Sequence, residues 1–205
     1  MDRAFLDNRQ DQALEIASDA QLSQIAPVTD QLRANVAAAA ALSRTIGVTP
    51  HDIREALVSF KLSAHRNQFV AERAGVVYVN DSKATNPHAA DSSASSYESL
   101  VWIFGGDFKG TDPTELLSKH QARTKALVVI GLDAEKTGRL ASEVLGDARV
   151  TVISGENVMA QAVSAAASLA SEGDTVLLAP AAASIDQFKN YQERGERFIE
   201  AVRGL

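Results

Sequence analysis

The densest chemistry lies in residues 76–86, VVYVNDSKATN, where an apolar, β-branched run breaks into Asp81, Ser82, Lys83 and Thr85. A buried strand that delivers an acid, an amine and two hydroxyls at its end resembles a phosphate-handling site. Asp81 can orient a nucleotide hydroxyl or receive a metal-linked water. Lys83 brings a mobile point charge, and Thr85 a hydroxyl donor. The same residues also suit an ordinary polar turn with Lys83 solvated. Upstream, His65 and Arg66 lie between elements. Arg66 can fork onto a phosphate or onto an acidic neighbour.

Two further segments carry chemistry. GGDFKG, residues 105–110, follows an apolar run. Its glycines allow a tight turn and close backbone approach, and Lys109 can hold a carboxylate or phosphate. The full GxGxxG and GxxxxGK[ST] patterns are absent. In PAAASIDQFKNYQERG, residues 180–195, small residues let the chain pass near a ligand and Ser184 leads toward a last helix. Asp186 is the expected cap of that helix, whose N-terminus could receive an anion. An Asp-capped terminal helix with no ligand fits the same letters, and Tyr191 could be core packing or a lid. No His/Asp spacing completes a serine triad around Ser184. His51, His88 and His120 read as surface or capping residues.

The elements that must position these groups follow from periodicity. LRANVAAAAALSRTIG reads as a helix capped by Asp30 and ended by Gly47. Its alanine face asks for a closely approaching neighbour. TPHDIREALVSF is a second helix with Thr49 as cap and Pro50 at its first position. QFVAER, Ala74-Gly75 and VVYVN predict a hairpin. Strands are predicted at 100–104, 126–130, 150–152 and 175–178, alternating with helices at 112–120, 134–145, 157–171 and 187–202. Such alternation implies a mostly parallel sheet covered on both faces, with ligands beyond the C-terminal strand ends. The small, polar stretch around residues 92–99 is the expected domain boundary. Residues 1–30 are weakly patterned; QALEIA is a short strand or helix turn there, and Pro27 ends what precedes it.

Composition bounds the function. A net charge of −6 without a basic stripe argues against general nucleic-acid binding. The absence of cysteine removes disulfides and thiolate chemistry together. The polar N-terminus has no signal-peptide core, and no apolar run approaches the roughly 20 residues of a membrane span. Cytoplasmic residence is the expectation.

Taken in order, HRNQF, NDSKATN, GGDFKG and LLAPAAASIDQFKNYQERGERF resemble the Mur ligase family, in its D-glutamate-adding branch, over about residues 30–205. The resemblance implies an α/β, Rossmann-like C-terminal domain at 93–205, preceded at 1–92 by the end of a central ATP-binding domain. It implies an ATP- and Mg2+-dependent ligase of peptidoglycan precursor synthesis, joining D-glutamate to a UDP-linked muramoyl substrate through an acyl phosphate. Asn35, Arg66, Asp81 and Lys83 would hold ATP, with Arg66, Asp81 and Lys83 catalytic. Lys83 and Thr85 would face the acyl phosphate and UDP-linked substrate, and Lys109, Ser184 and Tyr191 the D-glutamate.

No P-loop, magnesium carboxylate or modified lysine of the family is found. The adenine-side motif, at TDQLRAN, keeps only Asn35, and Gln68 stands where the family has glutamate. The expectation is therefore a C-terminal fragment, monomeric and without metal ligands, that alone neither hydrolyses ATP nor forms the amide. The alternatives are a non-catalytic amino-acid-binding module and a related ligase using L-glutamate or a diamino acid. A generic Rossmann phosphatase or dehydrogenase lacks its own signature.

Overall fold

The computed structural model describes residues 17–23 and 30–205, and the chain divides into two units, Met1–Ser63 and Ala64–Leu205. In the first unit, a short helix α1 (Asp19–Leu22) precedes α2 (Asp30–Thr45) and α3 (Pro50–Ser59). Ala40 and Ile53 are buried together, so the alanine face of α2 does receive a close neighbour in α3. Thr49 and Asp52 form the reciprocal capping box that starts α3, with Pro50 in the first turn. Most of QALEIA and Pro27 lie outside the described residues.

The second unit is one six-stranded sheet: β1 (Gln68–Arg73), β2 (Val76–Asn80), β3 (Leu100–Gly105), β4 (Thr124–Ile130), β5 (Val150–Val152) and β6 (Thr175–Leu178). Its helices are α4 (Pro87–Ala94), α5 (Thr114–His120), α6 (Ala134–Leu145), α7 (Val158–Leu169) and α8 (Tyr191–Arg203). The spatial order is β1-β2-β6-β3-β4-β5, with β1 antiparallel to β2 and the other pairs parallel. Side chains alternate along each central strand. Trp102, Phe104, Leu127, Val129 and Leu177 meet α4, α5 and α6 on one face. Val101, Ile103, Val128, Val176 and Leu178 meet α7 and α8 on the other. Burial on both faces explains why these strands are continuously apolar.

The expected boundary near residue 92 is corrected. The break falls at residue 63, because β2 pairs with β6 from Val77↔Thr175 to Asn80↔Leu178 and so joins the C-terminal sheet. Residues 87–94, expected as boundary, form α4, whose apolar contacts are made by alanines such as Ala90 and Ala94. Asn86 Oδ1 caps it by accepting from Ala89 N at 3.0 Å, and Pro87 stands in its first turn.

Strand order sets the geometry of the site. The loops after β2 and β3 turn to one face of the sheet and the loop after β6 turns to the other. The connections therefore diverge on both sides of β6.

Candidate functional site

Lys83 leaves the end of β2 and meets Tyr191, the first residue of α8. Its Nζ donates to Tyr191 Oη at 3.0 Å and lies 4.2 Å from the ring centroid. The loop holding Lys83 is pinned from several sides. Lys83 N donates to His65 O at 3.1 Å, Ser82 N to Asn80 Oδ1 at 3.1 Å, and Ala181 N to Ala84 O at 3.0 Å. Thr85 is half-buried on the same loop, its amide donating to Lys83 O at 2.8 Å.

Asp81 sits one residue past β2, with its amide donating to Leu178 O on the neighbouring β6 at 2.8 Å. Burial pushes its carboxyl above the usual carboxylate range, while the Ser93 hydroxyl, the Asn67 amide and the Arg66 charge pull the other way. Ser93 Oγ is itself buried and closes no full hydrogen bond. It acts on Asp81 as a nearby dipole. Arg66 is exposed beside this acid, able to swing onto a further anion. His65, buried behind it, accepts at Nδ1 from Asn80 Nδ2 at 3.0 Å. Burial lowers its basicity, Glu196 opposing, and an accepting Nδ1 makes the ring neutral.

The loops after β3 and β6 are tied by two bonds, Asp107 N to Ala183 O at 3.0 Å and Ala183 N to Asp107 O at 2.9 Å. That tie brings Lys109 and Ser184 onto adjoining loops. Lys109 is exposed in a left-handed conformation (φ 51°), fixed by its amide donating to Asp107 Oδ1 at 2.8 Å. Ser184 is buried, and its carbonyl accepts from Gln187 and Phe188 in a turn. Gly106 permits the approach: a Cβ there would stand 2.3 Å from Ala183 O. A cleft of about 580 Å³ opens over this junction, lined by Asp107, Lys109, Thr111, Lys136 and Asp186. A larger one, about 830 Å³, lies over the ends of β4 and β5 beside Leu132, Glu156, Phe188 and Arg197.

Several expected details are corrected. The last helix begins at Tyr191, capped by Asn190, whose Oδ1 accepts from Glu193 N at 2.9 Å. Asp186 instead accepts from Leu132 N at 3.0 Å, closing the β6 loop onto the β4 loop. Ser184 therefore lies seven residues before Tyr191, and the helix N-terminus is not beside it in sequence. His120 is buried, its Nε2 2.7 Å from Asp91, because the end of α5 packs against Trp102. Asn35 is exposed on α2, in the other unit. The residue that sequence reasoning missed is Arg194. It is fully buried and donates to Ser82 Oγ, Ser82 O and Ala182 O. Its signal was an arginine one turn into a helix that must bury that face.

Comparison with known proteins agrees with this layout. The family model "Mur ligase, glutamate ligase domain" matches residues 65–182. The UDP-N-acetylmuramoylalanine–D-glutamate ligase of Leifsonia xyli is 46% identical over 204 residues, 98% of this chain and 40% of that protein. The Thermobifida fusca enzyme of the same name is 45% identical over 207 residues, 100% of this chain and 44% of that protein. The chain thus spans about two-fifths of the length of the curated relatives it matches. Among solved structures, a Mycobacterium tuberculosis folylpolyglutamate synthase complexed with ADP and AMPPCP shares the fold at TM-score 0.61 and 18% identity, over 87% of this chain and 40% of that one. UDP-N-acetylmuramate-alanine ligase of Thermotoga maritima does so at 0.60 and 17%, over 86% and 39%. A mostly parallel sheet with helices on both faces is the fold this chain shares with those solved structures. The chain belongs to the Mur ligase family.

Proposed function

We propose that this chain is the D-glutamate-receiving part of an ATP-dependent ligase that extends UDP-N-acetylmuramoyl-L-alanine in peptidoglycan precursor synthesis, a cytoplasmic reaction. The observation that carries this reading is the meeting of Lys83 and Tyr191 beside β6, which brings together loops 108 residues apart in sequence. The 46% identity to a ligase of that name gives the meeting its chemical meaning.

Asp81 and Arg66 serve the nucleotide side; a partly buried acid and an exposed guanidinium fit a ribose hydroxyl and a phosphate. ATP, when bound, supplies the phosphoryl group that activates the muramoyl-linked carboxylate. Lys83 offsets negative charge on the transferring oxygens, and Thr85 donates to the UDP-linked substrate. Lys109 and Ser184 orient the carboxylates of D-glutamate, and Tyr191 closes over it. Among the described residues no group of three or more His, Asp or Glu side chains could hold a metal ion. Residues 1–63 take the place of the end of the central ATP-binding domain. No GK[ST] loop is in the sequence, and this chain by itself should release no ADP in a coupled assay.

A chimera tests the reading. The matching 204 residues of the Leifsonia xyli relative are replaced by this chain, and ATP-dependent incorporation of D-glutamate is measured. Restored incorporation supports the proposal. A folded chimera that prefers L-glutamate or a diamino acid moves the chain to another branch. Binding of D-glutamate without turnover favours the binding-module reading.

A further inference from the structure

Arg194 is the one arginine in the chain recorded as fully buried among the described residues, and its partners are unusual for a buried charge. Nε donates to Ser82 Oγ at 3.0 Å, Nη2 to Ser82 O at 2.8 Å and Nη1 to Ala182 O at 3.1 Å. All three acceptors are neutral, and among the described residues no carboxylate closes an ion pair with it. Burial lowers its pKa to about 10, with the Asp186 charge opposing. A guanidinium kept out of water without a paired anion costs stability. Apolar packing often fills such a space at less cost, which directs attention to what the fork holds.

What it does is visible in its acceptors. Ser82 is the residue between Asp81 and Lys83 on the β2 loop; Ala182 is two residues before Ser184 on the β6 loop. Gly106, the start of the Lys109 loop, lies against the same guanidinium: a Cβ there would be 3.4 Å from Nη1. Ser82 Oγ, accepting from Arg194, donates in turn to Tyr191 O at 2.7 Å. One side chain thus ties the loop of Lys83, the loop of Ser184 and the first turn of α8 that carries Tyr191. Planar, three-way donation of this kind is available to arginine and not to lysine.

We propose that Arg194 is the positioning residue of this site: its buried fork, acting through Ser82 and Ala182, holds Lys83 against Tyr191 and fixes the distance between the nucleotide-side and amino-acid-side loops. The role assigned to Lys83 rests on the ligase reading, but the placement of Lys83 does not. It is therefore tested without substrate or turnover.

The Lys83 ammonium lies over the Tyr191 ring, so ring current shifts the neighbouring ε-methylene protons upfield in the NMR spectrum of the intact chain. Arg194→Lys, which keeps charge and loses the fork, should return those protons to the position of a free lysine while the methyl spectrum of the sheet stays native. Ser82→Ala, which removes the shared hydroxyl at little change in volume, should do the same in part. Val202→Ala, a buried truncation on the same helix, should lower stability and leave the Lys83 signal in place. In the unsubstituted chain, the Arg194 Nε–H should exchange with solvent slowly.

Native-like Lys83 protons in a folded Arg194→Lys or Ser82→Ala chain overturn the proposal. So does an equal loss in Val202→Ala, which would make Arg194 one packing residue among others. If Arg194→Lys does not fold, Ser82→Ala and the Nε–H exchange rate decide. An inactive chimera with the Lys83 signal intact sinks the ligase reading and leaves the positioning role standing.

Discussion

Lys83 reaches Tyr191 on a flexible stem, yet its backbone is held by His65 and its loop by Ala181. In the proposed ligase reading, that charge acts by electrostatics on developing negative oxygens. In the chimera, Lys83→Met should lower kcat for amide formation by about 10²–10³-fold, measured by steady-state ADP release at saturating ATP. Lys109 stands apart on an exposed loop whose conformation is set by Asp107. On the same reading, Lys109→Ala in the chimera should mainly raise the KM for D-glutamate, with kcat changing less, since it would remove an orienting charge and leave the transferring group untouched. At this scale Asp81, Lys83 and Thr85 stood out from residue type alone as candidates, and the structure places them on one loop beyond β2. Arg194 did not: a buried arginine and a solvated one have the same letter, and only the fold decides which it is.

The elements bring these residues together through close backbone approaches. Gly195, on α8, lies where a Cβ would stand 2.3 Å from His65 Nδ1 and 3.0 Å from Asn80 Nδ2. Gly195→Ala should push α8 from β2, cost about 1–3 kcal/mol as overpacking and weaken the Lys83–Tyr191 contact, read by urea unfolding and the Tyr191 environment. Gly106→Ala adds a positive φ (134°) to a clash with Ala183 O, and should separate the Lys109 loop from the Ser184 loop at a similar cost or more. Local elements were mostly legible. The hairpin at Ala74-Gly75, the strands 150–152 and 175–178 and the helix 134–145 stand where periodicity places them. α4 escaped because alanines and serines show no hydrophobic period, although Asn86-Pro87 is a start signal. The Asp186 cap failed because Asp186 closes a loop against Leu132 instead, and Asn190 performs the same local chemistry four residues on.

At the scale of the whole molecule, two buried histidines couple stability to pH. His65 and His120 are both held below their ordinary value of 6.5 by burial, with Glu196 and Asp91 opposing. The unfolded chain binds protons there that the folded chain refuses. Their contribution is therefore full above pH 6.5 and lost as pH falls toward the lowered folded values. The urea midpoint should be lower at about pH 5.5 than at about pH 7.5, and His65→Gln with His120→Gln should flatten that difference. Asp81, raised by burial, works with the opposite sign nearer its ordinary 3.8. The division at residue 63 carries a further expectation: residues 64–205, with an apolar layer on each face of the sheet, should fold cooperatively alone, seen as one sharp unfolding transition by circular dichroism.

By itself, the sequence determined which segments are buried strands, which loops are polar enough to do chemistry, and the family resemblance that the comparisons bear out. Those properties are local: period, propensity and motif are written in neighbouring letters. The tertiary structure decided which loops meet. Placing β6 between β2 and β3 sets Tyr191 beside Lys83 and buries Arg194 between Ser82 and Ala182. It also moved the boundary from residue 92 to residue 63, since a strand belongs to the sheet whose backbone it bonds. Strand order comes from the packing of the whole chain, and no single segment encodes it.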